Sequence, residues 1–463
     1  MSREHLKKYI GTKEFYKMVL LIVIPIIIQN GITNFVSLLD NIMVGQVGTE
    51  QMSGVAIVNQ LVVVFNICIF GGVSSAGIFT AQYYGKGNRE GVRDTFRFKF
   101  IICMMMAIVA MAIFACFGEE LIQLYLHEGT QEGDIERTLE YGKEYLSVIM
   151  IGMIPYAISQ TYASTLRETG ETMVPMKIGI VAVLVNLVGN FLLIFGNFGA
   201  PKLGAVGAAI STDIARFVEC FILIWWTHKN HERHTFIKKA YCSLRIPKVL
   251  ALDIIKKGIP LMVNEVAWSI GQAFLMQCYS VRGLAVVAGL NISSTVSNLF
   301  NVVFLSMGSA ISIIVGQLLG AGKMEEAKDT DRKLLAFTVG TCVVFGSLLA
   351  IISPLFPQIY ETTPEVMSLA TRFILISALC MPLYAFIHGC YFTLRSGGKT
   401  WITVLFDSVY VWLIDIPLAY ILSRFTDLPI VWIYLSCQLI ETIKCLIGYA
   451  LVKKGIWLQN IVS

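Results

Sequence analysis

Long apolar stretches, separated by short polar segments, follow one another along the whole chain. A helix of about 20 apolar residues crosses the hydrocarbon core of a bilayer, and a lipid-facing stretch of this length satisfies its own backbone only as a helix. The pattern therefore predicts membrane-spanning helices. We predict twelve, at Tyr16–Val44, Met52–Tyr84, Phe96–Phe117, Tyr141–Leu166, Val174–Asn197, Gly204–Thr227, Ala251–Ser280, Ala285–Leu319, Leu334–Ile352, Met367–Leu394, Thr400–Ser423 and Leu428–Val452.

The composition agrees with this pattern. Of the 463 residues, 56% are hydrophobic and 14% are charged, and the mean hydropathy is +0.69. Soluble globular chains have about 25% charged residues, so we predict an all-α integral membrane protein. No small-residue cleavage site follows the first apolar stretch, which favours a retained span over a signal peptide. The net charge of +5 gives no indication of a nucleic-acid partner.

Basic residues cluster on alternate connections, and this asymmetry predicts the orientation. They precede the first span and follow the second, sixth and eighth spans, at Arg3, Lys7, Lys8, Lys13 and Lys17, at Lys86, Arg89, Arg93, Arg97 and Lys99, at Lys229, Arg233, Lys238, Lys239, Arg245 and Lys248, and at Lys323, Lys328, Arg332 and Lys333. The longest loop on the other side is acidic, with Glu119, Glu120, Glu128, Glu132 and Asp134. Because cytoplasmic loops carry an excess of Lys and Arg, we expect a multi-pass plasma-membrane protein with both termini in the cytoplasm.

The chain contains an internal repeat. The segment Gln82–Gly87 aligns with Gln317–Gly322 at an offset of 235 residues, and Thr165–Arg167 aligns with Thr393–Arg395 at an offset of 228 residues. An even number of spans separates the copies, so the two halves share one orientation, as in transporters built from parallel repeats.

The repeat predicts the domain organisation. We expect two six-helix lobes, residues 1–228 and 251–463, joined by a basic cytoplasmic linker at 229–250. In transporters of this kind the substrate lies between the lobes, and rocking of one lobe against the other gives alternating access.

Asp40 is an acid inside the first predicted span. Insertion scales give roughly 2.5–3.5 kcal/mol for a charge at the bilayer centre, so an acid at this depth is by default a candidate for function. No Lys or Arg lies between Lys17 and Lys86, so any basic partner must come from elsewhere in the chain. The alternatives for Asp40 are a place in the headgroup layer or an ion pair with a distant basic residue.

An ordered set of short motifs runs through the chain. It comprises Pro25, Gln29, Asp40, Val44-Gly45 and Gly48 in and after the first span, the Gln82–Gly87 loop with its copy, and the turns at Leu166-Arg167 and Leu394-Arg395. Together with the twelve spans, this set resembles the multidrug and toxic compound extrusion (MATE) family of the MOP superfamily. The resemblance implies secondary active export of amphipathic, often cationic drugs or toxic compounds by antiport with H⁺ or Na⁺, with no other cofactor.

The first half contains a candidate site for ion or proton coupling. Asn186 and Asn190 lie four residues apart and so share one helix face, and Thr212 lies in the first half of the sixth span, just after Gly207-Ala208-Ala209. With Asp40, these side chains offer oxygen ligands for a hard cation or a hydrogen-bond network that responds to protonation. The resemblance implies a cation or proton site at the same four positions, although Asn190 stands where some members have a second Asp. The alternative for the two asparagines is hydrogen bonding between helices.

The second half has its own acid, Glu265, in the seventh predicted span. It matches a glutamate to which family members assign cation or substrate binding. Some of those members pair it with an aspartate in the tenth helix, where this chain has Arg372 and His388 instead. For substrate binding we therefore predict Gln29, Asn34, Asp40, Glu265 and Trp268.

Other charges lie at membrane depth. Opposite charges three residues apart predict structural ion pairs within a helix. One such group is Asp213, Arg216 and Glu219 in the sixth span, and the other is Glu441 with Lys444 in the twelfth. Asp407 and Asp415 have no local partner in the sequence, and their roles stay open. A neutral His388 could accept a proton, and the alternative is a packed or cavity-lining imidazole.

Several other classes of protein are disfavoured by the motifs. The eleven cysteines include no C-x-x-C pair, and His228, His231 and His234 lie in a basic segment where we expect no metal site. Gly85-Lys86-Gly87 lacks the spacing of a P-loop. We therefore expect neither an enzyme nor an ATPase subunit, and we expect small organic cations or amphiphiles and the lipid bilayer as partners.

The alternative within the superfamily is a flippase for lipid-linked or other amphiphilic precursors. Such a protein is expected to have a strongly cationic central cavity. This chain has acids in its first and seventh spans, which favours antiport.

Overall fold

The computed structural model describes residues 8–126, 134–360 and 362–463, and within these ranges it is helical, with short 3₁₀ segments and no strand. The α-helices are α1 (Lys13–Gly45), α2 (Thr49–Gly85), α3 (Arg89–Gln123), α4 (Ile135–Ile149), α5 (Met153–Glu168), α6 (Met173–Leu193), α7 (Gly204–Lys229), α8 (Lys248–Ser280), α9 (Leu284–Gly320), α10 (Met324–Ile352), α11 (Pro364–Ser396), α12 (Thr400–Phe425) and α13 (Ile430–Lys453). Arg3, Lys7, Glu128 and Glu132, used above for the orientation, lie outside the described residues.

A helix or helix pair stands at each of the twelve predicted spans, so the all-helical membrane fold is confirmed. Among the described residues, nine helices are each long and apolar enough to cross a membrane, and α4 with α5, bent by 49°, makes a tenth if the pair is one span. The helices α7 and α8 are also long but more polar. They contain Asp213, Arg216 and Glu219 in α7, and Asn264 and Glu265 in α8.

Several helices begin earlier than the apolar pattern predicts. α10 begins at Met324 rather than Leu334, and α3 begins at Arg89 rather than Phe96. Their first turns are charged, so hydropathy does not detect them. In α3 the start is instead marked by a cap, because the Asn88 side chain accepts a hydrogen bond from the Gly91 amide at 2.9 Å.

Contacts divide the chain into two compact units. One consists of residues 28–80 and 88–254, and the other consists of residues 1–27, 81–87 and 255–463. The boundary inside α1 falls between Ile27 and Ile28, just after Pro25. The two lobes expected at 1–228 and 251–463 stay a prediction.

The core of the unit built on residues 28–80 and 88–254 lies among α2, α3, α4, α5 and α7. Its most deeply buried side chains are Val58, Ile69, Cys103, Ile122, Met153 and Ala209. The helices α2 and α4 approach closely where glycines meet. A Cβ added at Gly54 would lie 2.9 Å from the backbone of Thr138 and of Gly142.

The other unit is built around α9, α10 and α11, and the start of α1 packs into it. Val19 and Val23 of α1 belong to the same buried cluster as Met307, Ile311 and Leu319 of α9. Because α1 begins in this unit and continues into the other, its residues Gln29, Asn34 and Asp40 belong to the unit that holds α6 and α7.

The repeated loop motif forms a close crossing inside this second unit. A Cβ added at Gly85 would overlap the backbone of Gln317, and a Cβ added at Gly320 would overlap the backbone of Gln82. The same two positions of the repeat therefore touch each other reciprocally. Only glycine allows the two helix ends, α2 and α9, to approach so closely.

Candidate ion and substrate site

Four predicted site residues form a continuous hydrogen-bonded chain across three helices. Asn190 Nδ2 of α6 donates to Asp40 Oδ1 of α1 at 2.6 Å, and also to Asn186 Oδ1 at 3.3 Å. Asn186 Nδ2 in turn donates to Thr212 Oγ1 of α7 at 3.1 Å. The structure thus brings Asp40, Asn186, Asn190 and Thr212 together. We refer to this group as the Asp40 network.

The hydrogen-bond partners of Asp40 in the network are neutral side chains. Asn190 is 1% exposed and Asn186 is 7% exposed, whereas Asp40 is partly buried. In the described part of the chain, Asp40 forms no ion pair with a Lys, Arg or His. The ion pair considered above as an alternative for Asp40 is therefore not found there. Asn190 Oδ1 is buried without a hydrogen-bond partner among the described residues, which leaves one acceptor of the network unused.

The fit between α6 and its neighbours depends on small residues. Ser211 of α7 donates its hydroxyl to the backbone carbonyl of Asn186 at 2.6 Å, and a Cβ added at Gly189 would overlap the Ser211 side chain. The close approach of α7 at this point places Thr212 within reach of the Asn186 amide. Local packing of small side chains thus positions the predicted ligands.

Two predicted substrate residues on α1 lie apart from the Asp40 network. A Cβ added at Gly179 of α6 would lie 3.2 Å from Gln29 Nε2, so Gln29 packs against α6. At a rise of about 1.5 Å per residue, Gln29 is more than two helical turns from Asp40. Asn34 is exposed on α1. Neither residue takes part in the hydrogen bonds of the network.

The second unit contains a polar centre on Asn264, which the sequence analysis did not single out. Asn264 is 2% exposed and donates from Nδ2 to Asp407 Oδ2 at 3.1 Å. The hydroxyl of Ser408 donates to Asn264 Oδ1 at 2.7 Å. On the other side of the carboxylate, Lys444 Nζ donates to Asp407 Oδ1 at 2.8 Å. We call these four residues, Asn264, Asp407, Ser408 and Lys444, the Lys444 centre.

The Lys444 centre changes the pairing expected from the sequence. The predicted pair of Lys444 with Glu441 is present at 3.8 Å, but the shorter contact of Lys444 is with Asp407. Asp407 had no local partner in the sequence because its partner comes from another helix. One sequence signal could have predicted the pair of Asp407 with Lys444. Opposite charges occur at membrane depth in neighbouring spans, and buried charges are usually paired.

The backbone of α12 is irregular where it contributes to this centre. Its segments Leu405–Val409 and Val411–Asp415 are π-helical. Such wide turns are rare and are frequently found at functional sites. Asp407 and Ser408 are consecutive residues of the first segment, and both bind Asn264.

The other predicted residues of the second unit are Glu265, Trp268 and His388. Glu265 is partly buried beside Asn264, and Trp268 is 40% exposed on α8. The Nδ1 atom of His388 is 3.0 Å from the Tyr384 carbonyl, to which it donates, and the ring packs against Phe304. Glu265 and His388 each interact electrostatically with Asp407, and among the described residues no direct hydrogen bond joins Glu265 to His388.

The charged group predicted in α7 is present in part. Arg216 is 3.9 Å from Asp213, as predicted, whereas Glu219 forms no ion pair with Arg216 among the described residues. His228 and His231 each bind a backbone carbonyl of their own segment, at 2.9 and 3.0 Å. Among the described residues, no group of three or more His, Cys, Asp and Glu side chains is arranged to hold a metal ion.

Comparison with known proteins identifies the family. The sequence profile of the MatE family matches residues 25–192 and 260–421, which is more than half of the chain. The chain belongs to the MATE family. Its members are membrane transporters rather than enzymes, so the classification drawn from the sequence is confirmed. The match includes the positions of Asp40, Asn186, Asn190 and Glu265.

Curated relatives extend over almost the full chain. A probable multidrug resistance protein NorM of Oceanobacillus iheyensis is 26% identical over 425 residues, covering 90% of this chain and 91% of that protein. A probable NorM of Thermotoga maritima is 23% identical over 440 residues, covering 94% and 92%. A transporter of Bacillus subtilis named YisQ, described as uncharacterized, is 22% identical over 440 residues.

Solved structures share the fold. An outward-facing multidrug resistance MATE transporter of the MOP superfamily covers 100% of both chains with a TM-score of 0.84 and 16% identity. A variant of the Vibrio cholerae MATE transporter VcmN covers 96% of this chain and 98% of its own, with a TM-score of 0.85 and 16% identity.

Proposed function

We propose that this MATE transporter is a multidrug efflux protein that exports amphipathic, cationic compounds by antiport with H⁺ or Na⁺. Family membership and the names of the relatives support the export of drugs. The observation that carries the ion-coupled part is the Asp40 network, in which an intramembrane carboxylate is hydrogen-bonded to a neutral amide. Glu265 and Trp268 are proposed to contribute to substrate binding from α8.

Antiport requires that the coupling ion and the drug oppose each other's binding, and the chemistry of Asp40 allows this. Ionised Asp40 is an acceptor for the Asn190 amide and attracts a cation. Protonated Asp40 has no net charge and carries a donor, for which the buried Asn190 Oδ1 is an acceptor in the same network. Proton and drug cation therefore weaken each other's binding, and such coupling is reciprocal for the two ligands.

Because Asp40 lies on α1, its protonation can act on the conformation of that helix. Pro25 lies inside α1 and removes one backbone hydrogen bond, so the helix bends most easily there. We propose that protonation of Asp40 from outside biases α1, hinged at Pro25, toward release of the drug. A ligand shifts two conformations only by its differential affinity for them, so loss of the titrating group should abolish coupling.

The expected setting is the plasma membrane with both termini in the cytoplasm. The basic connections after α2, α7 and α9 support this orientation. An inward H⁺ or Na⁺ gradient across this membrane would then drive export.

Efflux from proteoliposomes tests the proposal. Purified protein is reconstituted with a trapped fluorescent organic cation, and H⁺ and Na⁺ gradients are imposed separately at equal ionic strength. We expect efflux above that of protein-free liposomes with at least one gradient. Export of an amphiphile that is independent of both gradients would contradict antiport and favour the flippase alternative.

Asp40→Asn provides the decisive variant. It keeps the size of the side chain and removes the titration, so efflux should fall close to background and lose its dependence on the imposed gradient. The matched control is Asp427→Asn, because Asp427 lies exposed between α12 and α13. Gradient-dependent efflux by Asp40→Asn at the wild-type rate would overturn the coupling role of Asp40.

A further inference from the structure

The Lys444 ammonium lies in surroundings that suit a bound cation. Its side chain is 4% exposed, and its Nζ atom is 2.8 Å from Asp407 Oδ1 and 3.8 Å from Glu441 Oε2. It also lies over the rings of Phe406 and Tyr410, at 5.7 and 5.5 Å from the ring centroids. Two carboxylates and two aromatic faces are the groups that stabilise a desolvated positive charge.

Oxygen atoms of the kind that bind a hard cation belong to Asn264, whose amide donates to Asp407, and to Ser408, which follows Asp407 in the chain. Asn264 belongs to α8 and Ser408 to α12, and Ser408 Oγ lies 2.7 Å from Asn264 Oδ1 and 2.8 Å from the Asn264 carbonyl oxygen. Carboxylate, amide, hydroxyl and carbonyl oxygens are the ligands that alkali and alkaline-earth cations use in proteins. The π-helical segment Leu405–Val409 brings Asp407 and Ser408 to Asn264 together.

Acidic groups outnumber the ammonium at the centre, which favours a cation there. Glu441, Asp415 and Glu265 are acids, and each interacts electrostatically with Asp407 or Lys444. The basic groups that face the centre are Lys444, Arg395 and His388. Removing one partner of a buried ion pair is destabilising, because the other charge is left buried without compensation. Without the ammonium, Asp407 would therefore favour uptake of another cation.

We infer that the Lys444 ammonium occupies a site that would otherwise bind Na⁺. It thereby excludes Na⁺ from the unit containing α8, α12 and α13. Lys444 is in this sense a residue that determines ion specificity. The inference deepens the proposed antiport, because it assigns Na⁺ selectivity in this unit to one side chain. Its meaning for ion selectivity rests on the proposed function, whereas Na⁺ binding to the purified protein is measured without transport.

Equilibrium binding of ²²Na⁺ to the purified full-length protein tests this inference. Lys444→Ala and Lys444→Gln remove the charge, and we expect each to bind one more Na⁺ per chain than the wild type. Thermal unfolding should show the same change, with a larger rise of Tm in NaCl than in choline chloride for these variants. Lys444→Arg keeps the charge and should bind no additional Na⁺.

A double variant identifies the site. Lys444→Ala/Asp407→Asn should lose the additional Na⁺, whereas Na⁺ bound at the Asp40 network would persist in every variant and cancel in the comparison. If Lys444→Ala is recovered folded in Na⁺ but not in choline, that result supports the inference. Absence of additional Na⁺ in folded Lys444→Gln, or its persistence in the double variant, would overturn it. Failure of efflux in the proteoliposome assay would overturn the proposed function but leave this binding result unchanged.

Discussion

Asp40 and Asp407 are both carboxylates at membrane depth, and each accepts a hydrogen bond from an asparagine. They differ in their second partner. Asp407 is paired with the Lys444 ammonium, whereas Asp40 forms no ion pair in the described part of the chain. A carboxylate without a fixed positive neighbour keeps its affinity for exchangeable cations. For this reason the proposed coupling centres on Asp40.

Glu265→Gln should impair transport without unfolding the protein. Glu265 is partly buried and forms no ion pair among the described residues, so the isosteric amide should change the free energy of unfolding by less than about 1 kcal/mol. Loss of a charge-assisted contact to a cation costs about 1.5–3 kcal/mol, which corresponds to an increase of about tenfold or more in the KM of cationic substrates. Efflux kinetics with several cations measure this change.

The control for this variant is Glu365→Gln, which alters an exposed acid in the first turn of α11. Its KM should stay at the wild-type value. Wild-type kinetics for Glu265→Gln with every cation tested would show that Glu265 does not bind substrate.

His234, in the connection after α7, should make folding sensitive to acid. Burial lowers the pKa of His234 from 6.5 to about 4, with a smaller contribution from the neighbouring Arg233 charge. The unfolded chain therefore binds a proton at a higher pH than the folded chain does, so this residue destabilises the fold as the pH drops through 6.5 toward 4. At about pH 5.5 the loss amounts to about 1 kcal/mol.

His234→Phe should remove this part of the acid sensitivity. His234 Nε2 is buried without a hydrogen-bond partner among the described residues, and the ring packs against Trp226, so a phenyl ring fits the same place. Unfolding midpoints at neutral pH and near pH 5.5 measure the effect. The exposed His231 supplies the control variant His231→Phe, for which the wild-type pH dependence is expected. Equal acid sensitivity of wild type and His234→Phe would contradict the assignment.

At the scale of elements, the repeated loop motif has a packing explanation. The alignment of Gln82–Gly87 with Gln317–Gly322 was visible in the sequence, but the structural role of the motif was not. The structure shows that α2 and α9 end against each other, with Gly85 on the Gln317 backbone and Gly320 on the Gln82 backbone. Side-chain hydrogen bonds add to this crossing, since Gln82 Nε2 donates to the Ser396 carbonyl at 3.0 Å.

Gly85→Ala should therefore destabilise the protein. The added methyl group would overlap a backbone rather than a flexible side chain, so the helix ends must separate. Overpacking costs typically about 1–3 kcal/mol, and a backbone clash lies at the upper end of this range. Gly320→Ala should have a similar effect, because the contact is reciprocal. Tm and the yield of monodisperse protein measure the change.

Gly340→Ala is the matched control. Gly340 lies inside α10, and a Cβ added there meets no atom within 4 Å. This variant should be as stable as the wild type or slightly more stable, because alanine favours helix. Equal stability of Gly85→Ala and Gly340→Ala would show that the crossing is not tightly packed.

At the scale of the whole molecule, the distribution of charge and of apolar surface agrees with a bilayer setting. Large apolar side chains are exposed along the helices, among them Phe117, Phe221, Val344, Leu413 and Leu446. In lipid, exposure of apolar side chains has no cost in free energy, whereas buried polar groups need hydrogen-bond or ion-pair partners. The Asp40 network and the Lys444 centre follow this rule, because each joins polar side chains of three helices.

Thiol labelling tests the predicted orientation. In a variant lacking the native cysteines, Glu120→Cys should react with an impermeant reagent added outside intact cells, and Glu232→Cys should react only after permeabilisation. Both residues are exposed, one at the end of α3 and one just after α7, so accessibility to the reagent depends on the side of the membrane. The reverse pattern would contradict cytoplasmic termini.

The sequence alone predicted the elements and part of the site. The apolar pattern located the spans, since a helix in lipid must satisfy its backbone within itself. Asp40 was recognisable because a carboxylate in such a stretch is costly. The helix starts at Arg89 and Met324 were missed, because charged turns outside the hydrocarbon core have no hydropathy signal.

Only the tertiary structure decided which polar groups meet. Asn264 and Asp407 are 143 residues apart in the chain, and Asp40 and Asn190 are 150 residues apart. Sequence spacing shows which side chains share the face of one helix, but partners on different helices depend on how those helices rotate and approach. The π-helical turns of α12 change that rotation locally. Lys444 therefore pairs more closely with Asp407 on another helix than with Glu441 on its own.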